Sequence, residues 1–220
     1  MVHITKKDLD KDNFYKDSGI NTTEEITCDE NLGYIKFKKS VITTKSIILG
    51  LGCGIKAGDG IEAGDGIKAG WGIEAGDGIE AGDGIKAGGG IEAGDGIKAG
   101  DGIEAGDGIE AGDGIKAGWG IKAGWGIEAG LSIICKRVLK FSYQLFAGTC
   151  TWKKTTEGDL IIECGKLETD GKIVLGNLKE TGNIPEERRT MRSKTFKGIA
   201  KAMAEQWGDA LHEKGDVQNE

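Results

Sequence analysis

The sequence predicts a mainly β molecule: a three-sided β-solenoid of about 18 residues per coil, then a β-hairpin and a C-terminal amphipathic helix. Three observations carry this. Thirteen copies of the hexapeptide Gly-Ile-Lys/Glu-Ala-Gly-X run unbroken from Gly54 to Leu131. Within each copy Ile and Ala stand two residues apart, so an extended chain turns both to one side and the Lys or Glu between them to the other. The variable positions also sort by side when the chain is wound at about 18 residues per coil. Asp59, Asp77, Asp95 and Asp113 then share one corner, and Glu74, Glu92, Glu110 and Glu128 share the strand face before it. Lys68, Lys86 and Lys122 share another face, beside Trp71 and Trp125. A two-sided coil of about 12 residues mixes these classes more.

Other architectures fail on the same residues. In a helix the two glycines of every repeat would each cost about 1 kcal/mol, and isoleucines at this spacing form no apolar stripe. Collagen needs Gly at every third position, which this array lacks. A flexible Gly-rich linker has no reason to keep Ile in every copy. Gly-X-Gly reads as the corner, on the ground that Gly takes positive φ at no steric cost. The left-handed β-helix is the nearest plan, although it places the small inward residue before the large one and here Ile comes first.

Taken in order, residues 1–34 read as a polar segment with at most a short helix after Thr5. The solenoid is expected over 35–149, about six coils and about 30 Å of stack. Ile35/Phe37, Val41/Thr43 and Ile47/Leu49 are inward-type pairs, and a slip at Gly50-Leu51-Gly52 joins them to the regular array. Beyond it Ile133/Cys135, Leu139/Phe141 and Leu145/Ala147 keep the spacing with larger inward residues, as expected of capping coils. Residues 150–182 read as a β-hairpin cap, two strands around Thr169-Asp170-Gly171, since Asp-Gly is a hairpin signal. Over 183–220, Asn183 reads as a cap and Phe196, Ile199, Ala200, Met203, Trp207 and Leu211 as one helix face. Arg188, Arg189, Arg192, Lys194, Lys197 and Lys201 make a basic block on that helix, set either to touch nucleic acid or, preferably, to lie on the solenoid's own acidic side.

The array followed by Leu145-Phe146-Ala147-Gly148-Thr149-Cys150-Thr151-Trp152 resembles uncharacterised hexapeptide-repeat proteins of Firmicutes and their phages and prophages, over about residues 30–180. The resemblance implies a phage-linked context. It supplies no activity and carries over no functional residue.

Composition narrows the function. The chain has a net charge of −7, and its repeats alone, with six Lys, seven Glu and eight Asp, carry −9. Direct nucleic-acid binding through the solenoid is therefore not expected. The five cysteines, Cys28, Cys53, Cys135, Cys150 and Cys164, show no metal-like spacing and read as reduced, mostly buried thiols. The N-terminus has no signal-peptide pattern and no apolar stretch approaches a membrane span, so a cytoplasmic protein of a bacterial host is expected. His3 and His212 both lie near the termini, leaving no general base for an acyltransferase, and the Gly-x-Gly-x-x-Ala matches are products of periodicity without a surrounding βαβ unit. No enzyme, cofactor or metal is expected, and the Asp row reads as a solvated charge row.

What remains is a surface. Trp71, Trp119 and Trp125 stand at corner positions, where large aromatics point to a partner. With the Asp59/Asp77/Asp95/Asp113 corner and the Glu74/Glu92/Glu110/Glu128 row they form the candidate partner-binding set. The leading expectation is a non-enzymatic interaction or scaffold protein that binds a protein partner; homo-oligomers are compatible with it. The alternatives are a phage-encoded inhibitor of a bacterial defence or nucleic-acid-processing protein (anti-CRISPR-like) acting by acidic mimicry, and a structural or adhesive virion component. Interspersed lysines dilute the acidic character, so the tryptophans are expected to dominate binding.

Overall fold

The structure, a computed structural model, describes residues 1–150, 156 and 161–175. The helix expected over 183–220 and its basic block lie outside the described residues.

In every repeat Ile-Lys/Glu-Ala is a three-residue strand, from Ile61–Ala63 through Ile127–Ala129. The inward Ile and Ala are buried while the residue between them faces solvent. Successive strands belong to three different sheets, so the chain turns a corner after every hexad. Face I comprises Gly33–Phe37, Cys53–Ala57, Ile73–Ala75, Ile91–Ala93, Ile109–Ala111, Ile127–Ala129, Gln144–Ala147 and Lys172–Leu175. Face II follows it in each coil and runs from Ile20–Thr22 to Ile162–Glu163; face III follows that, from Val2–Ile4 to Lys166–Thr169. Among the described residues faces I and II have eight strands each and face III nine. Among the described residues the strands of the three faces pair in parallel and in register: Ile73 stands between Ile55 and Ile91, and Glu74 between Lys56 and Glu92. This is the three-sided plan with 18 residues per coil in the array.

The stack is tied by two kinds of backbone bond. Within the array the Ile N–H donates to the first Gly of the next coil, as from Ile73 to Gly90 at 3.0 Å, with Ser132 taking that place above Ile115; the second Gly N–H donates to the inward residue of the coil below, as from Gly76 to Ala57 at 3.0 Å. The corners are bonded too, Asp113 N–H to Asp95 O at 3.1 Å. Inside, one continuous core of Ile, Ala and larger residues runs from Ile4 to Ala147. Each Ile removed from water contributes about 2 kcal/mol, against the ordering of a glycine-rich chain.

Positive φ is not what the corner glycines supply. Among the described residues it occurs at Gly33, Gly52 and Gly148 and at Asn13 and Asn31, at none of the array's glycines. The second Gly of the repeat is required by contact instead. From Gly58 to Gly124 a Cβ there would come within 3.0 Å of a backbone carbonyl oxygen of the coil below, which real Cβ atoms do not do. Where Lys136 takes this position the regular corner bond persists, Arg137 N–H reaching Trp119 O at 2.7 Å, whereas at Ser142 the bonding changes and its N–H reaches Trp125 O at 3.1 Å.

The ends differ from the sequence expectation. Strands Val2–Ile4, Ile20–Thr22 and Ile26–Cys28 already belong to faces III and II, so the solenoid includes most of the segment read as polar. Long connections hide this in the sequence. The connection after Thr5 holds a 3-10 turn, Lys6–Asp8, whose Asp8 carboxylate accepts from Thr5 N–H at 2.9 Å. It then covers the edge of face I: Phe14 bridges Lys36, and the Tyr15 ring meets Phe37 at 5.2 Å. At the other end the expected hairpin is another solenoid level among the described residues. Lys166–Thr169 pairs parallel with Val138–Phe141, and Lys172–Leu175 pairs parallel with Gln144–Ala147. Asp170-Gly171 is thus a corner, because the strands flanking it find partners in the coil below and not in each other.

Cys28, Cys53 and Cys135 are buried thiols, and no disulfide joins the cysteines. Burial pushes the Cys28 thiol up to about 12 and that of Cys135 to about 11. Among the described residues no helix is long and apolar enough to cross a membrane.

Candidate functional site

Because the strands are in register, each outward residue meets the outward residues of the coils above and below, and each face becomes a charge ladder. On face III ion pairs bridge successive coils. Glu104 accepts from Lys86 at 3.3 Å and Lys122 at 3.1 Å, and Lys140 lies 3.8 Å from Glu168. The hydrogen bond from Lys122, then that from Lys86, holds the Glu104 carboxyl below its ordinary value. On face II, Lys98 pairs with Glu80.

Face I does not compensate. Lys56 lies 2.6 Å from Glu74, and this hydrogen bond raises the lysine above its ordinary value. Glu92, Glu110 and Glu128 then continue the row with no ion pair among the described residues. At the corner leading to face II, Asp59, Asp77, Asp95 and Asp113 form a second stacked row, likewise without an ion pair there. The structure therefore brings the two acidic groups picked out in the sequence side by side. Of the six repeat lysines only Lys56 lies on this face; Lys68, Lys86 and Lys122 are on face III, and Lys98 and Lys116 on face II.

The three tryptophans are not equivalent. Trp71 packs on Tyr34 with ring centroids 5.9 Å apart, and its N–H meets Cys53 O at 2.8 Å, where the long corner ending at Gly52 gives way to the regular one. Trp119, on the corner between faces II and III, lies under the Arg137 guanidinium at 4.5 Å. Trp125 has neither cover. It is 69% exposed, and Tyr143, next above it on the corner between faces III and I, is 66% exposed.

These features meet in one groove on face I. Its floor is the backbone of Gly90, Gly108 and Gly126; Glu92, Glu110 and Glu128 form one wall, with Trp125 and Tyr143 on the other. Tyr34 closes one end, its ring lying where Cβ atoms of Gly54 and Gly72 would be, and Gln144 and Phe146 close the other. Burial, with Glu74 beside it, pushes the Tyr34 phenol above its ordinary value. Tyr34, Tyr143 and Phe146 were not among the partner-binding candidates of the sequence. Counting one coil on from Trp125 and Glu128 finds Tyr143 and Phe146, but the exact repeat has ended there and draws no attention to them. Tyr34 could not be found this way, since the inserted residues at Gly50-Leu51-Gly52 break the count. Arg188, Arg189, Arg192, Lys194, Lys197 and Lys201 lie outside the described residues.

No family model matches this chain, and comparison with curated proteins and with solved structures gives no match.

Proposed function

We propose that this chain is a non-enzymatic interaction protein that holds the basic surface of a protein partner on face I. One observation carries the reading: Glu92, Glu110 and Glu128 stack without an ion pair beside the exposed Trp125, the one lysine of their row, Lys56, being engaged by Glu74, while Glu104 stands between Lys86 and Lys122 on face III. Like charges one coil apart repel by on the order of 1 kcal/mol per pair even in water, so this row costs stability that a cationic partner would return. The phage- or prophage-linked, cytoplasmic setting of the proposal rests on the resemblance of the repeat array.

A second reading is favoured by the segregation of the lysines. The argument that they dilute the acidic character loses force once five of the six lie on faces II and III. Face I with the Asp row is then a phosphate-like surface, suited to occupy the groove of a nucleic-acid-binding protein.

Affinity capture from a bacterial host lysate, with the parent chain and two variants, tests both. A specific partner is retained by the parent, lost with Glu92→Gln/Glu110→Gln/Glu128→Gln and weakened by Trp125→Ala. Release of that partner by duplex DNA supports mimicry. Retention undiminished by the triple substitution refutes the role of face I.

A further inference from the structure

We infer that the partner element seated on face I is a basic amphipathic helix of about three turns, lying along the solenoid axis; this rests on the reading of face I above. The two walls of the groove stand three residues apart along the chain, the corner residue Trp125 on one side and the strand residue Glu128 on the other. Three residues span at most about 10 Å, comparable to the about 10–12 Å width of a helix with its side chains. The floor between the walls is glycine backbone at Gly90, Gly108 and Gly126. A cylinder can therefore settle between them.

The axial repeat selects the helix over other cationic chains. Carboxylates in the row recur once per coil, about 4.8 Å apart in parallel sheets. A helix returns the same side once per turn, about 5.4 Å, and over the three steps from Glu74 to Glu128 the mismatch stays near 2 Å, within the reach of Lys and Arg stems. An extended chain returns the same side only about every 6.7 Å and leaves phase by about 2 Å at each step. The walls also set the helix's chemistry. One stripe must carry Lys or Arg toward Glu92, Glu110 and Glu128, and the adjoining stripe must be apolar or aromatic-binding toward Trp125 and Tyr143, where a cation over the ring also gains. Tyr34 and Phe146 at the two ends limit the length.

The glycine floor supplies a steric test that leaves charge untouched. A Cβ on Gly108 meets only Gly126 O at 3.4 Å, and one on Gly90 only Gly108 O at 3.4 Å, both ordinary contacts. Gly108→Leu should therefore fold and fill the floor; a melting curve like the parent's checks this, and Gly90→Leu is the substitute if it does not.

The probes are three synthetic peptides with the same number of lysines and leucines. The first presents lysines once per turn along one side of a helix with leucines beside them. The second scatters the same lysines around the helix, and the third is interrupted by prolines so that no helix forms. Binding to the full-length chain is read by fluorescence anisotropy of labelled peptide. The first peptide should bind at least about tenfold tighter than either other, and Gly108→Leu should remove that advantage. Equal affinity of all three, all lost with Glu92→Gln/Glu110→Gln/Glu128→Gln, overturns the helix and leaves face I as a cation-binding surface. Binding of none, or binding untouched by the triple substitution, overturns face I itself.

Discussion

The two glycines of a repeat can stand under different constraints, and at Gly106 and Gly108 the difference can be measured. At Gly106 a Cβ would press on Gly88 O, whereas at Gly108 it would lie 3.4 Å from Gly126 O. Neither residue has positive φ, so an alanine at Gly108 meets no backbone strain and restricts the unfolded chain. Gly108→Ala should leave stability unchanged or raise it by a few tenths of a kcal/mol. Gly106→Ala forces two coils apart and should cost about 2 kcal/mol or more. Urea melts of the two variants decide it; equal effects would mean that the coils do not approach as closely at the second Gly. The sequence marks both positions equally, because the atom that excludes a side chain at Gly106 belongs to a residue eighteen places earlier.

A strand of three residues has too few contacts to be stable alone, and each gains its identity from the strands above and below. That is why the inward and outward positions were legible from Ile and Ala alone, and why the partners of the outward residues became visible only once the period was fixed. Sorting at eighteen residues placed the acidic row and the Asp corner correctly in adjacent positions. The same sorting puts Glu104 between Lys86 and Lys122, but the side-chain geometry by which it bridges them appears only in the structure. Glu104 has a folded value below its ordinary 4.5, chiefly through the hydrogen bond from Lys122. Its contribution to stability is therefore present above that ordinary value and is lost as the pH falls through the folded one. With 43% of the Glu104 side chain exposed, Glu104→Gln should cost at most about 0.5 kcal/mol at neutral pH. The gap between variant and parent should close on acidification below 4.5. Denaturant melts at the two pH values check this, and a gap that persists in acid would mean that packing and not charge is responsible. The Asp170-Gly171 corner shows the opposite limit of local reading: a good hairpin signal is overridden when a ready sheet edge, Val138–Phe141 and Gln144–Ala147, lies within reach of both flanking strands.

For the whole molecule, the architecture was legible where the repeat is exact and obscured where coils lengthen. The N-terminal coils escaped notice because Val2, Ile26 and Ile47 are separated by unequal connections, although they occupy one column of face III, with Ile4 stacked on Cys28 in the next inward column. The tryptophans were legible as exposed, but not as three cases: a packed step at Trp71, a guanidinium-covered ring at Trp119 and an open one at Trp125. Everything proposed for face I depends on Glu92 standing directly beside Glu110 and on Glu104 facing elsewhere. Oxidative cross-linking of paired cysteines measures that. Neighbouring parallel strands hold their backbones about 4.8 Å apart, inside the about 4.4–6.8 Å Cα range that a disulfide spans. Glu92→Cys/Glu110→Cys should therefore form a disulfide rapidly under mild oxidant, and Glu92→Cys/Glu104→Cys should not. A bond in the second pair and none in the first would mean a two-sided coil, and would contradict both the three-sided stack and the acidic face built on it.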